Sequence, residues 1–418
     1  MHRIIPVLYL ERLGRKTHTA CSIPQLFTEY KHFHLLAEFF CVSVKAAFPS
    51  FAEICTHLLF SAQAFLQALQ TAAPPGCAFF AKGCAYPLWR FVFGRFSFLR
   101  LSAVPARGTM FFANLPWKGS ILSMMDACTL CPRQCHARRD AQQGTGFCRL
   151  PETMRIARIA PHLWEEPPIS GKRGTGAVFF SGCTLRCAYC QNADISHRNA
   201  GRAFTPAQLA DSLRRLTDMG METISFITAT PFIPQILRTL DIYRPPLPLV
   251  WNTSGYEAVD TLRMLDGVID VYLPDLKHHS PQMGQLCAKA ADYFSVASAA
   301  ITEMVRQTGL PVYDAETGIM RRGTLIRHLI LPGLTSESCA LLDWVHDSLP
   351  AGIPVSLMRQ YIPCNNVDIP GLMRPITARE YRRVRDHMLA LGLPGYLQEP
   401  ESASADFVPV FCQDESFV

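Results

Sequence analysis

From residue 174 onward the chain alternates short apolar runs with stretches of helical period, and this alternation constrains its fold more than any other feature. Strand-like runs fall at residues 174–181, 223–228, 249–253, 268–273, 324–331 and 355–357. Between them, Thr205-Pro206 supplies an N-cap and a pre-set first helical position, with Leu209, Leu213 and Leu216 on one face. Further helices are predicted over residues 233–240, 256–265, 290–307 and 336–348, and Thr377-Ala-Arg-Glu380 is a capping box opening a last helix to about Leu391. Strands of four to eight apolar residues separated by helices mean βα repetition and a parallel α/β sheet. Six such units suit a partial or complete barrel, and an open doubly wound sheet shows the same alternation. In a barrel the chemistry sits in loops after the strand C-termini.

The unusual residues fall in such a loop. Directly after the first strand comes Ser181-Gly-Cys183-Thr-Leu-Arg-Cys187-Ala-Tyr-Cys190-Gln-Asn192. Thiolates at short spacing select zinc or iron–sulfur clusters over hard cations. Three is an informative number, because a structural zinc site is closed by four ligands, whereas three thiolates on a four-iron cubane leave one iron open. Burial as small hydrophobes is the bland reading of these cysteines, and the regular spacing at a strand end disfavours it. Disulfides are disfavoured by the adjacent loop positions.

With its neighbours, Cys183-x3-Cys187-x2-Cys190 resembles the signature of radical S-adenosylmethionine (SAM) enzymes. Ile169-Ser-Gly171, Phe179-Phe-Ser-Gly-Cys183 and Cys190-Gln-Asn192 are similar to the pyruvate formate-lyase activating enzyme-like branch. So are Ile227-Thr-Ala-Thr-Pro231, Trp251-Asn-Thr-Ser-Gly-Tyr256, Tyr272-Leu-Pro-Asp-Leu-Lys277 and Arg327-His-Leu-Ile-Leu-Pro-Gly333. The resemblance spans roughly residues 128–392. It implies a partial (β/α) barrel, with a [4Fe–4S] cluster held by Cys183, Cys187 and Cys190 and SAM on the fourth iron. Reductive cleavage of SAM would yield a 5′-deoxyadenosyl radical for hydrogen abstraction, with the protein supplying orientation and a dry pocket. Phe179, Phe180 and Tyr189 are expected to pack around the site as core aromatics.

The resemblance also implies SAM contacts. Many relatives carry a Gly-Gly-Glu-Pro turn after the second strand, and this chain reads Thr228-Ala-Thr-Pro231 there, without the acid. Thr228 and Thr230 are candidates to substitute through their hydroxyls. Asn252 and Ser254 follow the third strand, where turn-forming polar residues are the alternative. Asp275 and Lys277 match the Asp-Leu-Lys element of glycyl-radical activases, with a surface ion pair as the alternative. Arg327 and His328 come early in their strand, and Arg327 reads equally as structural or catalytic.

A second group, Cys128-x2-Cys131-x3-Cys135-x12-Cys148, precedes the barrel. Four thiols close either a tetrahedral zinc site or a second iron–sulfur cluster, and the spacing does not choose between them. Arg133, Arg138 and Arg139 would offset the thiolate charge. Cys287, Cys339, Cys364 and Cys412 stand singly and are expected to be packing residues.

Composition divides the chain before Ser123. Residues 1–122 hold 12 Lys/Arg against 4 acids and 16 of the 26 phenylalanines, whereas residues 123–418 hold 28 basic and 30 acidic residues. Residues 54–81 lack Lys, Arg, Asp and Glu, but Gln63, Gln67, Gln70 and Pro74-Pro75 interrupt them, so a membrane span is disfavoured. Neither a secretory nor an organellar leader fits residues 1–15. The expected organisation is therefore an atypical hydrophobic, basic segment at 1–122, a Cys-rich metal-binding extension at 123–168, a barrel at 169–400 and a tail at 401–418. The true start is expected at Met124 or Met125, with non-coding sequence translated ahead of it; a genuine small hydrophobic domain is the alternative. The −2 balance after residue 122 argues against nucleic acid. A cytoplasmic location is expected for oxygen-labile clusters. The resemblance further implies an electron donor such as flavodoxin or ferredoxin, and a glycyl-radical enzyme as the partner whose backbone glycine loses a hydrogen. Radical chemistry on another protein or a small molecule, or a non-catalytic zinc or iron–sulfur module for architecture or electron transfer, is the competing reading.

Overall fold

The structure, a computed structural model, describes residues 5–6, 127–402 and 409–418. The expectations for residues 1–122 as a segment, and for a start at Met124 or Met125, lie outside the described residues, apart from a two-residue strand β1 (Ile5–Pro6).

Parallel strands form the framework. β3 (Thr175–Phe180), β5 (Thr223–Ile227), β6 (Leu249–Thr253) and β7 (Val271–Pro274) pair in parallel in that order. β7 then pairs with β9 (Met320–Thr324) at Val271–Gly323 and Tyr272–Thr324, and Asp275 bridges Arg327 at the start of β10 (Ile326–Leu329). The offset is the same throughout, so β9 and β10 act as one strand interrupted at Leu325. β11 (Val355–Met358) and β12 (Gly395–Leu397) extend the parallel series. This is the sheet of a partial (β/α) barrel. Two antiparallel strands, β2 (Met154–His162) and β4 (Arg202–Phe204), extend it beyond β3, and β8 (Val312–Tyr313) borders β9.

The parallel strands read as continuous apolar runs because helices cover them. All six residues of β3 are buried. α3 (Pro206–Asp218) and α4 (Ile233–Ile242) pack Leu209, Leu213, Leu216, Ile236 and Leu240 against Val178, Ile224 and Phe226. Each such side chain contributes about 1.5–3 kcal/mol relative to exposure. α7 (Tyr293–Thr308), α8 (Thr335–Ser348) and α9 (Ala378–Ala390) enclose the other half around Ile326, Val355 and Leu357. The expected caps form: Gln208 N–H donates to Thr205 Oγ1 at 3.3 Å, and Glu380 N–H to Thr377 Oγ1 at 3.2 Å.

Two elements are shorter than the sequence suggests. The helix after β6 is only α5 (Val259–Arg263), because Tyr256 and Glu257 are drawn into hydrogen bonds with Asp292 and with Thr230 and Thr253. β7 starts at Val271 because Val268 and Ile269 bond back to the Leu265 carbonyl in a turn. The short helices α1 (Pro167–Ser170), α2 (Ala193–Ser196) and α6 (Pro281–Ala288) complete the set. The last residues lie along β2, with Val418 N–H donating to the Ile159 carbonyl and Phe417 stacked on Phe204. Among the described residues no helix is long and apolar enough to cross a membrane.

Candidate active site

A cavity of about 410 Å³ opens at the C-terminal ends of the parallel strands, within the size range of small-molecule and cofactor sites. Cys183, Cys187 and Cys190 all line it, with Phe179, Phe180, Thr228, Asn252, Ser254, Asp275, Lys277 and Arg327.

The loop carrying the three cysteines starts with Gly182, whose φ of +79° and tight fit (an added Cβ would stand 2.3 Å from Leu150 Cδ1) require glycine. It is pinned by Gly182 N–H to Ile195 O at 2.7 Å and Ala188 N–H to Cys287 O at 2.8 Å. Leu185 N–H donates to Cys183 Sγ at 3.4 Å, and Ser196 Oγ lies 3.2 Å from Cys190 Sγ. Burial pushes the Cys183 thiol up to about 12 and the Cys187 thiol higher, with Lys277 pulling both down. Such thiols ionise when a metal takes the proton's place. Three soft donors facing one cavity, beside a cation and one another, fit a cluster held at three corners. Tyr189 also lines the cavity, with its hydroxyl 3.1 Å from His278 Nε2.

Opposite the thiols stands a buried charged network. Arg327 Nε donates to Asp275 Oδ1 at 2.9 Å, Nη2 to Asn252 Oδ1 at 2.7 Å and Nη1 to Glu165 Oε2 at 3.3 Å. Lys277 Nζ donates to Asp275 Oδ2 at 2.5 Å, and Asn252 Nδ2 to Glu165 Oε1 at 2.9 Å. Burial raises the Asp275 carboxyl, but Arg327 and Lys277 more than offset this and hold its pKa below the usual range. Burial likewise lowers Lys277, and Asp275 and Cys187 outweigh it, keeping the ammonium charged. Asp275 and Lys277 are thus no surface ion pair. Arg327 ties three strand ends and the β2–β3 connection together. His328 turns to the far side, with its ring nitrogens 2.6 Å from Leu276 O and 2.8 Å from Ser338 Oγ.

The two threonine candidates part company. Thr228, at a φ of +44°, lines the cavity. Thr230 Oγ1 donates instead to Glu257 Oε1 at 2.6 Å, and Thr230 is buried outside the cavity lining. Ser254 lines the cavity with a buried Oγ that has no hydrogen-bond partner, and an orphaned buried hydroxyl calls for a bound group.

Glu165, Glu166 and His162 also line the cavity and were not singled out from the sequence. Their signal was the adjacent acids before Pro167-Pro168, in a chain lacking the acid after its second strand. Glu166 Oε2 is buried without a hydrogen-bond partner, 3.9 Å from Arg327 Nη1. Burial raises its pKa to about 7, Arg327 opposing and Glu165 adding to the rise. Burial, then Arg158, lowers His162 to about 4, so this imidazole is neutral near pH 7. The four upstream cysteines lie elsewhere, around a small cavity of about 20 Å³.

The profile of the Radical SAM superfamily matches residues 177–345. An uncharacterised protein of Methanocaldococcus jannaschii, MJ0674, is 28% identical over 267 residues, covering 61% of this chain and 72% of that protein. Among solved structures, a HydG maturase of the [FeFe]-hydrogenase aligns at 13% identity and a TM-score of 0.35, covering 52% of this chain and 54% of the maturase. The radical SAM methyltransferase TsrM of Kitasatospora setae aligns at 13% identity and 0.35, covering 66% of each chain. The chain spans about half the length of the HydG maturase it matches. The profile falls on the very strands and loop that carry the three-cysteine motif, so residues 177–345 form a Radical SAM superfamily domain, for which a [4Fe–4S] cluster and SAM are the cofactors.

Proposed function

We propose that the chain is a radical SAM activating enzyme that removes a hydrogen atom from a backbone glycine of a glycyl-radical enzyme. Cys183, Cys187 and Cys190 would hold the cluster. When bound, that cluster supplies the single electron that cleaves SAM reductively.

The chain's own residues do the rest. Lys277 offers an ammonium to a carboxylate, and Asp275, held ionised, fixes Lys277 and Arg327 in place. Asn252, Ser254 and Thr228 offer polar atoms at the ends of neighbouring strands for the remaining groups of SAM. Glu165 and Glu166 supply carboxyls on the side facing Arg327, where the turn 228–231 has none. Phe179, Phe180 and Leu185 wall the interior with apolar surface, which keeps water from a reactive intermediate.

The observation that carries the activase reading is the lip of the cavity. Leu163 and Trp164 line it and are 54% and 48% exposed. Large apolar side chains held at the rim of a polar, charged site suit the docking of a polypeptide loop. The Asp-Leu-Lys element, with both charges buried at the cavity, is the second support. The test mixes the protein, SAM and a reductant anaerobically with a glycyl-radical enzyme of the pyruvate formate-lyase type. A glycyl-radical doublet in the EPR spectrum is expected. SAM cleavage without any doublet, across several such enzymes, would leave a radical SAM enzyme with another substrate.

A further inference from the structure

We propose that Cys128, Cys131, Cys135 and Cys148 hold a second iron–sulfur cluster, closed by four thiolates, that passes electrons to the cluster at Cys183, Cys187 and Cys190; the transfer rests on the site proposed above. All four side chains line the cavity of about 20 Å³, together with Arg133, Arg139, Phe147, Thr184 and Pro231. The thiols are gathered by a small antiparallel turn, with Cys128 bridging Ala137 and Arg139 bridging Gly144. Gly146 leaves the space that Cys135 occupies, since a Cβ there would stand 2.7 Å from Cys135 Sγ.

Four thiolates accept a tetrahedral zinc ion or an iron–sulfur cluster alike. The cluster is favoured by the quartet's place against the three-cysteine loop, where a redox-active group has a use: Arg186 Nη2 donates to the Phe147 carbonyl at 2.9 Å and Asn199 Nδ2 to the Cys148 carbonyl at 2.9 Å.

Charge supports an anionic occupant. Arg139 is 4% exposed. Its guanidinium donates to the carbonyls of Leu150, Pro151 and Pro231 and lies 4.0 Å from Cys128 Sγ. Neutral carbonyls do not balance a buried cation. A cluster carried by four thiolates is net negative and does.

Position supports the relay. Cys135 is exposed and Cys128 buried, so the quartet reaches from the surface inward. Arg133, between Cys131 and Cys135 in sequence, donates from Nε to the Thr184 carbonyl at 3.0 Å. Thr184 lines the four-thiol cavity, while its neighbour Cys183 lines the large one. One electron from an external low-potential donor, a reduced flavodoxin or ferredoxin, would enter the quartet and leave for the inner cluster, the donor being oxidised by one equivalent.

The test uses the full chain, reconstituted anaerobically with iron and sulfide. A Cys183→Ala/Cys187→Ala/Cys190→Ala variant should retain about four irons with a cubane Mössbauer spectrum, and the wild type should carry about eight. A triad variant with one zinc and no iron, or a wild type with about four irons plus zinc, overturns the second cluster. For the relay, Cys131→Ala/Cys135→Ala should slow reduction of the inner cluster by reduced flavodoxin at least tenfold. Its SAM-induced EPR change after photoreduction should persist. An unchanged rate overturns the relay, whereas loss of the SAM-induced change in the wild type counts against the inner site alone.

Discussion

Replacing Glu166 by Gln should make the folded chain less sensitive to rising pH. Glu166 is buried, its Oε2 lacks a hydrogen-bond partner, and Arg327 Nη1 stands 3.9 Å away. Burial raises its pKa from 4.5 to about 7. A carboxyl with a raised folded-state pKa keeps its proton in the folded chain while the unfolded chain has lost it. Stability therefore falls as pH climbs from the unfolded value through the folded one, and the loss is complete above it. At about 1.4 kcal/mol per pKa unit, the full penalty is about 3 kcal/mol. Glutamine carries no such titration and can still donate a hydrogen bond toward Glu165. Between about pH 5.5 and about pH 8 the variant should gain about 2 kcal/mol relative to the wild type. Anaerobic urea unfolding at both pH values measures that difference. Any fixed cost of the amide beside Arg327 shifts both measurements equally. A gap that is constant with pH, or that moves against the variant as pH rises, refutes the reasoning.

Three further outcomes follow from the same geometry. Gly182→Ala should destabilise the chain by at least about 1 kcal/mol in the same unfolding assay, because φ is +79° and the new Cβ meets Leu150. Lys277→Met should weaken SAM binding about tenfold or more, about 1.4 kcal/mol, in an EPR titration of the reduced protein, while iron content stays at the wild-type value. Arg327→Met should cost about 3–5 kcal/mol near pH 7, since it leaves Asp275 with Lys277 alone and strands Glu165 in the interior.

Much of the framework was legible because strands covered on both faces appear as unbroken apolar runs, and β3, β5, β6 and β11 are fully buried or nearly so. Thr205 and Thr377 marked their helices because capping is local. β2 escaped notice because Arg155 and Arg158 interrupt its apolar positions, a pattern set by its half-covered, antiparallel place. At the site, the three thiols were readable from spacing alone. Glu165 and Glu166 were not, because what gives them meaning is Arg327, more than 150 residues away in sequence. Thr230 shows the converse. Its place in the motif suggested a ligand contact, but the buried carboxyl of Glu257, held also by Thr253 and Trp251, takes its hydroxyl.

The central claim is that a cluster at Cys183, Cys187 and Cys190 cleaves SAM reductively in this chain. Its most direct test is a count of products from full-length protein loaded anaerobically with iron and sulfide, then given dithionite and SAM. 5′-Deoxyadenosine and methionine should form in equal amounts, and Cys187→Ala should form neither. A wild-type chain that carries its full iron and sulfide but releases no 5′-deoxyadenosine would contradict the account.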